Sequence, residues 1–222
     1  MQKFETSAPV CAALDIPAGR VRIVADERTD TTVEVLPADA SKSRDVKAAE
    51  QTTTVYGDGV LRIETPVKKQ YLGPSGALDV TIHLPAGSRV EAKAGSAEFH
   101  TAGPLGDVAF HGSYGTTKID HAASLRFTAH AGDVAVGHLG GDSEISVAQG
   151  DITIAEAVHG TLTLHTVSGN VTVVAPQTTS AILHATTTHG RIHNSLVNAQ
   201  GPHPDLTIHA TTAQGNITAH TL

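Results

Sequence analysis

The chain of 222 residues has no tryptophan, one methionine (Met1) and only seven aromatic side chains, three Tyr and four Phe. A core poor in aromatics has to be built from Val, Ile, Leu, Ala and Thr, and small and β-branched side chains suit a pleated, half-buried surface. The single cysteine, Cys11, excludes an intramolecular disulfide, so the chain carries no mark of an oxidising compartment. The formal charge is -7 with no basic stripe, which argues against nucleic acid, because phosphates need clustered Lys and Arg. No apolar run approaches the ~18 residues of a membrane span. The N-terminus, MQKFETSAPVCAALDIPAG, has one Lys and lacks the unbroken apolar stretch of about 7–15 residues of a signal peptide. The C-terminal AHTL holds no sorting signal. The expectation is a soluble cytoplasmic protein without a cofactor.

What is abundant points to strands and turns. There are 21 Gly and 10 Pro, and a chain of this length can form one all-β domain. Residues 1–87 alternate irregularly. Val10, Ala12, Leu14 and Ile16 form one apolar row that Pro17-Ala18-Gly19 ends; Val21, Ile23 and Ala25 follow, then Val33 and Val35. The polar stretch 38–54 reads as a loop with one helical turn around Val46 to Glu50. Residues 60–63 read as a strand, 67–76 as a loop, and Leu78, Val80, Ile82 and Leu84 as a clean strand. Each alternating run has one wet face.

From residue 88 the pattern is periodic. One glycine anchors each unit: Gly95, Gly115, Gly132, Gly150, Gly169, Gly190 and Gly215, at spacings of 20, 17, 18, 19, 21 and 25. Apolar or small residues recur five and three positions before the glycine, as in Ile145 and Val147 or Leu164 and Thr166. They recur two and four positions after it, as in Ile152 and Ile154 or Val171 and Val173. Each unit is a short strand, a glycine corner and a second short strand. No unit this small buries its own apolar face, whereas stacked units share a continuous core. The expected fold is an all-β, single-stranded β-solenoid of about seven coils at 88–222, with 1–87 as a β-rich N-terminal cap. The alternative is a β-sandwich, which does not call for the same residue class at the same phase in every unit.

The recurring phrase in VSGNVTV, and approximately in AQGDITI, HAGDVAV and AQGNITA, resembles the bacterial Domain of Unknown Function 4097 family, whose members carry an adhesin label. In the N-terminal half, IPAGRVRIVADERTDTTVEVLPA leading into VKAAEQTTTVYGDGVLRIETP is similar to its actinobacterial members. The resemblance spans essentially the whole chain and implies a β-strand-repeat fold with no established reaction. Ser96 and Thr116 stand where the phrase has Asp or Asn, and Arg191 does so in the sixth unit.

Four features could carry chemistry. Asp133, Asp151, Asn170 and Asn216 each follow an anchoring glycine. Stacked in register, Asp133 and Asp151 would lie ~5 Å apart, close to the carboxylate spacing of a retaining glycosidase, which makes them the catalytic candidates of a carbohydrate-active hydrolase or lyase. The structural reading is that Gly-Asx suits a corner, glycine for its φ and Asx for bonding to nearby backbone N–H groups. The 14 histidines are the second feature, and His184, His189 and His193 have metal-like spacing, although a corner separates their strands. His184 and His209 share a phase and are expected to stack. His111 and His165 share another phase, in units that are not adjacent. Histidines titrate near ~6.5, so association or solubility is expected to change in mild acid. Third, Thr153, Thr172 and Thr218 form a column interrupted by Ala135 and His193, the kind of array that binds ice or sugars. Fourth, Ser96, Ser113 and Ser168 have no triad context, and no phosphate-binding glycine loop occurs. Cys11 lies in an alternating strand as a packing residue. The reading that follows is a non-catalytic scaffold that binds a protein partner or itself through its outer faces and an open, uncapped C-terminal coil.

Overall fold

The computed structural model describes residues 1–66, 76–199, 201 and 203–222. The chain forms two compact units, Met1–Gly115 and Thr116–Leu222. No helix among the described residues is long and apolar enough to cross a membrane.

The first unit holds β1 (Gln2–Glu5), β2 (Cys11–Asp26), β3 (Asp30–Pro37), α1 (Ser43–Gln51), β4 (Thr53–Gly57), β5 (Val60–Glu64), β6 (Leu78–Pro85), β7 (Arg89–Ala102) and β8 (Pro104–Tyr114). The first half of β2 lies parallel between β5 and β7, and its second half parallel between β6 and β7. Pro17-Ala18-Gly19, expected to end a strand, instead turns a corner within β2, where Gly19 has φ +127°. Antiparallel strands close this stack: β4 on β5, β3 on β6 and β1 on β3. The expected loop at 38–54 contains α1, longer than the single turn expected. Its polar sequence hides an anchor, because buried Asp45 accepts the Ala77 N–H at 3.0 Å. The loop expected at 67–76 lies outside the described residues except for Gly76.

The second unit holds β9 (Thr117–Ala131), β10 (Val134–Leu139), β11 (Ser143–Gln149), β12 (Ile152–Ala157), β13 (Gly160–Ser168), β14 (Val171–Ala175), β15 (Ala181–His189), β16 (Ile192–Ser195), β17 (Leu206–Gln214) and β18 (Ile217–Thr221). All strand pairings within it are parallel, in two layers. One layer runs from the start of β9 through β10, β12, β14 and β18 to β16. The other runs from the end of β9 through β11, β13 and β17 to β15. The fold is the expected β-solenoid. Its interior is the phased set, with Phe127, Ile145, Val147, Ile152, Ile154, Leu164, Val171, Ile208 and Ile217 all buried.

The order of the last coils differs from the sequence order. After β14 the chain passes over one level to lay down β15 and β16. It then returns and inserts β17 and β18 beneath them. The expected open C-terminal coil is therefore internal, and the coil that ends the stack is 181–195. The reason lies in the connections. The connections between β14 and β15 and between β16 and β17 span these level changes, and the glycine spacing widens to 21 and then 25 at these units.

Candidate functional site

The corners of the second unit are built from glycine. Gly132, Gly150, Gly169 and Gly215 have φ between +133° and +157°, a region that side-chain-bearing residues avoid. Each also lies against the coil below: a Cβ on Gly150, Gly169, Gly215 or Gly190 would meet the carbonyl oxygen of Gly132, Gly150, Gly169 or Gly215 respectively. Gly190 and Gly95 lack the positive φ. Gly95 sits within the continuous strand β7 and is excluded from bearing a side chain by the Pro17 carbonyl. Gly115 has φ +135°.

The Asx residues beside these glycines form a ladder from coil to coil. The Asp151 N–H donates to Asp133 Oδ1 at 2.9 Å, and the Asn170 N–H to Asp151 Oδ1 at 2.7 Å. The Asn216 N–H donates to Asn170 Oδ1, and the Arg191 N–H to Asn216 Oδ1, each at 2.9 Å. A second ladder runs beside it: Thr166, Thr212 and Thr187 donate their hydroxyls to the carbonyls of Gly150, Gly169 and Gly215 at 3.0 Å. Sequence reasoning placed the Asx oxygens on backbone N–H groups, and that is where they are. The partner, however, lies on the next coil rather than in the same turn. Only one side-chain oxygen is used at each step, so Asp and Asn serve equally. Arg191 stands on the last coil, where no further N–H requires an acceptor.

This geometry gives Asp133 and Asp151 a structural task. A glycosidase needs two carboxylates flanking one bond; here each Oδ1 is held by the next coil's backbone. Asp151→Asn is expected to change stability by less than ~0.5 kcal/mol, since the acceptor survives. Asp151→Ala leaves the Asn170 N–H without it and is expected to cost ~1 kcal/mol. Urea unfolding of the two variants measures the difference.

The histidine candidates separate. In register, His184 lies beside His209, His189 beside Gln214 and His193 beside Thr218. Among the described residues no group of three or more His, Cys, Asp or Glu is placed to hold a metal ion. His184 and His209 do stack, with ring centroids 5.0 Å apart and planes 13° apart. His165 lies between Ser146 and Thr211, and His111 beside Lys93 in the other unit. His121 and His138 face each other at 5.3 Å, but each has a carboxylate at 3.2 Å: Asp120 for His121 and Glu156 for His138. Because β18 lies under β16, Thr153, Thr172 and Thr218 are consecutive in the stack, with Ala135 and His193 at its two ends. Cys11 is half-buried between Val60 and Arg89, and burial, with the Glu91 charge, pushes its thiol pKa up. That favours the unreactive thiol.

The feature that sequence reasoning misplaced is the end of the stack. Among the described residues β15 pairs only with β17, and β16 only with β18. Rows that are buried in the interior coils surface here. Ile217 is 1% exposed, whereas its stacked equivalent Ile192 is 47% exposed. Val197 is 49% exposed, and Leu183 and Ala185 are half-buried. Arg191, in place of the Asx residue, and the widened glycine spacing on either side of Gly190 are the signals in the sequence that mark this coil.

The sequence profile of the Toastrack DUF4097 family matches residues 86–221. No curated protein matches the chain. Among solved structures, a provisionally named cell adhesion protein from Clostridium sporogenes ATCC 15579 is 14% identical, with a TM-score of 0.35, and the match covers 100% of this chain and 98% of that one. A provisionally named adhesin from Parabacteroides distasonis ATCC 8503 is 14% identical, with a TM-score of 0.48, over 100% and 95%. A provisionally named lipid binding protein from the same organism is 13% identical, with a TM-score of 0.46, over 98% and 95%. Likenesses this distant transfer no activity. The profile match covers more than half of the chain, and the chain belongs to the Toastrack DUF4097 family.

Proposed function

We propose that this chain is a non-catalytic, adhesin-like scaffold that works by protein association, and that its end coil, 181–195, docks a second copy. The observation that carries this reading is the apolar row left open at Leu183, Ala185, Ile192 and Val197. Unpaired strand edges are templates for association, and proteins ordinarily guard them with Lys or Pro. The segment 181–195 contains neither.

Charge favours a second copy as the occupant. Arg191 lies at one end of β15. At the other, Asp205 accepts the Ser180 N–H at 3.1 Å. A two-fold axis through the middle of β15 sets Arg191 of each copy toward Asp205 of the other, and isologous contacts of this kind are the commonest in soluble oligomers. Residues 1–87 act as the cap in this reading, supported by the antiparallel β1, β3 and β4. A cytoplasmic location and independence from cofactors and nucleic acid belong to the same proposal.

Sedimentation equilibrium at micromolar concentration tests it. The expected mass is about twice the 22.9 kDa of the chain. Ile192→Asp, at a half-exposed position, is expected to give the monomer mass with unchanged circular dichroism. A monomeric wild type contradicts the proposal.

A further inference from the structure

We infer that this end-coil contact is released by acid, because docking requires the histidines of the end coil to be neutral. The inference rests on the self-association proposed above and concerns its regulation.

The charges around the end coil are one-sided. Between 181 and 195 the titratable side chains are His184, His189, Arg191 and His193, with no carboxylate. The elements packed against this coil add the same sign. β17 brings His209, stacked on His184 at 5.0 Å, and otherwise sets Gln214 beside His189. β18 sets Thr218 beside His193 and His220 beside Ser195. The described part of 196–205 contains His203 and Asp205, and Asp205 is the one side-chain carboxylate among these described neighbours. It lies at the end of β15 remote from Arg191. The other histidine pair of this unit is arranged oppositely. His121 and His138 each have a carboxylate at 3.2 Å, so protonation there completes ion pairs.

At neutral pH each end coil carries one fixed positive charge, Arg191. Full protonation of its three histidines raises that to four. A two-fold contact brings identical surfaces together, so the added charge is doubled and of like sign across the interface. The same number of protons binds more easily to two separated copies than to the pair. Association therefore weakens as the pH falls through the imidazole range, around ~6.5 for an ordinary histidine.

Sedimentation velocity over a concentration series, at pH 7.5 and pH 5.5 and constant ionic strength, tests this. The wild type is compared with the triple variant His184→Gln, His189→Gln, His193→Gln. The expected result is a dimer dissociation constant at least tenfold weaker at pH 5.5 for the wild type and less than threefold weaker for the variant. A dimer equally tight at both pH values overturns the acid release and leaves the self-association standing. Equal weakening in wild type and variant overturns the assignment to these histidines. A wild type monomeric at both pH values overturns the self-association itself, and the acid release with it.

Discussion

Gly215→Ala is expected to lower the stability of the 116–222 unit by ~3 kcal/mol or more, from backbone strain of ~1–3 kcal/mol together with overpacking of similar size. The first cost arises because Gly215 has φ +149°, which alanine adopts only under strain. The second arises because the new methyl would land on the Gly169 carbonyl, with the carbonyl carbon at 2.6 Å and the Asn170 nitrogen at 3.2 Å. These are backbone atoms of an interior coil, held from both sides by the Asx ladder, and they cannot move aside as a side chain would. Thermal unfolding followed by circular dichroism should show the transition falling by roughly 6 °C or more. Gly57→Ala is the matched control. A Cβ there meets nothing within 4 Å and its φ is not positive, so the change should stay within ~0.5 kcal/mol. A loss below ~1 kcal/mol at Gly215 would mean that the corners are not close-packed.

The corners were legible in the sequence because their requirement is local. A coil that turns while another backbone lies against it needs glycine at a fixed phase, and Gly132, Gly150, Gly169 and Gly215 mark it. The apolar positions around them were legible for the same reason, since each strand has one inward face. Gly19 was missed. It makes the same corner in β2, but the backbone that lies against it is Leu78 of β6, far along the chain, and no short repeat connects them. α1 was underestimated because its helix is fixed by Asp45 bonding to Ala77, a contact between distant residues that leaves no periodic trace.

The site was legible only in part. The Asx column reads as corner chemistry in the sequence, but its bonds to the neighbouring coil depend on stacking, and so does the place of Arg191. The order of the last coils was hidden by their likeness. Leu183-His184-Ala185-Thr186-Thr187 and Ile208-His209-Ala210-Thr211-Thr212 differ only by Leu for Ile at the same phase, so either coil fits either level. What separates them is the acceptor. Asn216 can receive the N–H of a coil above it, whereas Arg191 cannot. The coil bearing Asn216 therefore belongs inside and the coil bearing Arg191 at the end.

The second large effect follows from that order and decides which surface is open. Thr172 in β14 is the register partner of Thr218 in β18, and Thr218 is in turn the partner of His193 in β16. Adjacent strands are separated by ~4.8 Å, so Thr172 and Thr218 fall within the Cα range of a disulfide, about 4.4–6.8 Å. Thr172 and His193 are two strands apart, about 9.6 Å, beyond the ~7 Å limit for bridging. Both pairs can be installed on a Cys11→Ser background, so that no other thiol competes. Mild oxidation followed by peptide mass mapping is the most direct measurement of the claim that coil 181–195 ends the stack. Thr172→Cys with Thr218→Cys is expected to close an intramolecular disulfide nearly completely, and Thr172→Cys with His193→Cys to remain reduced. The reverse outcome, with a bridge closing in the second double variant and none in the first, would place the C-terminal coil at the end and contradict the account.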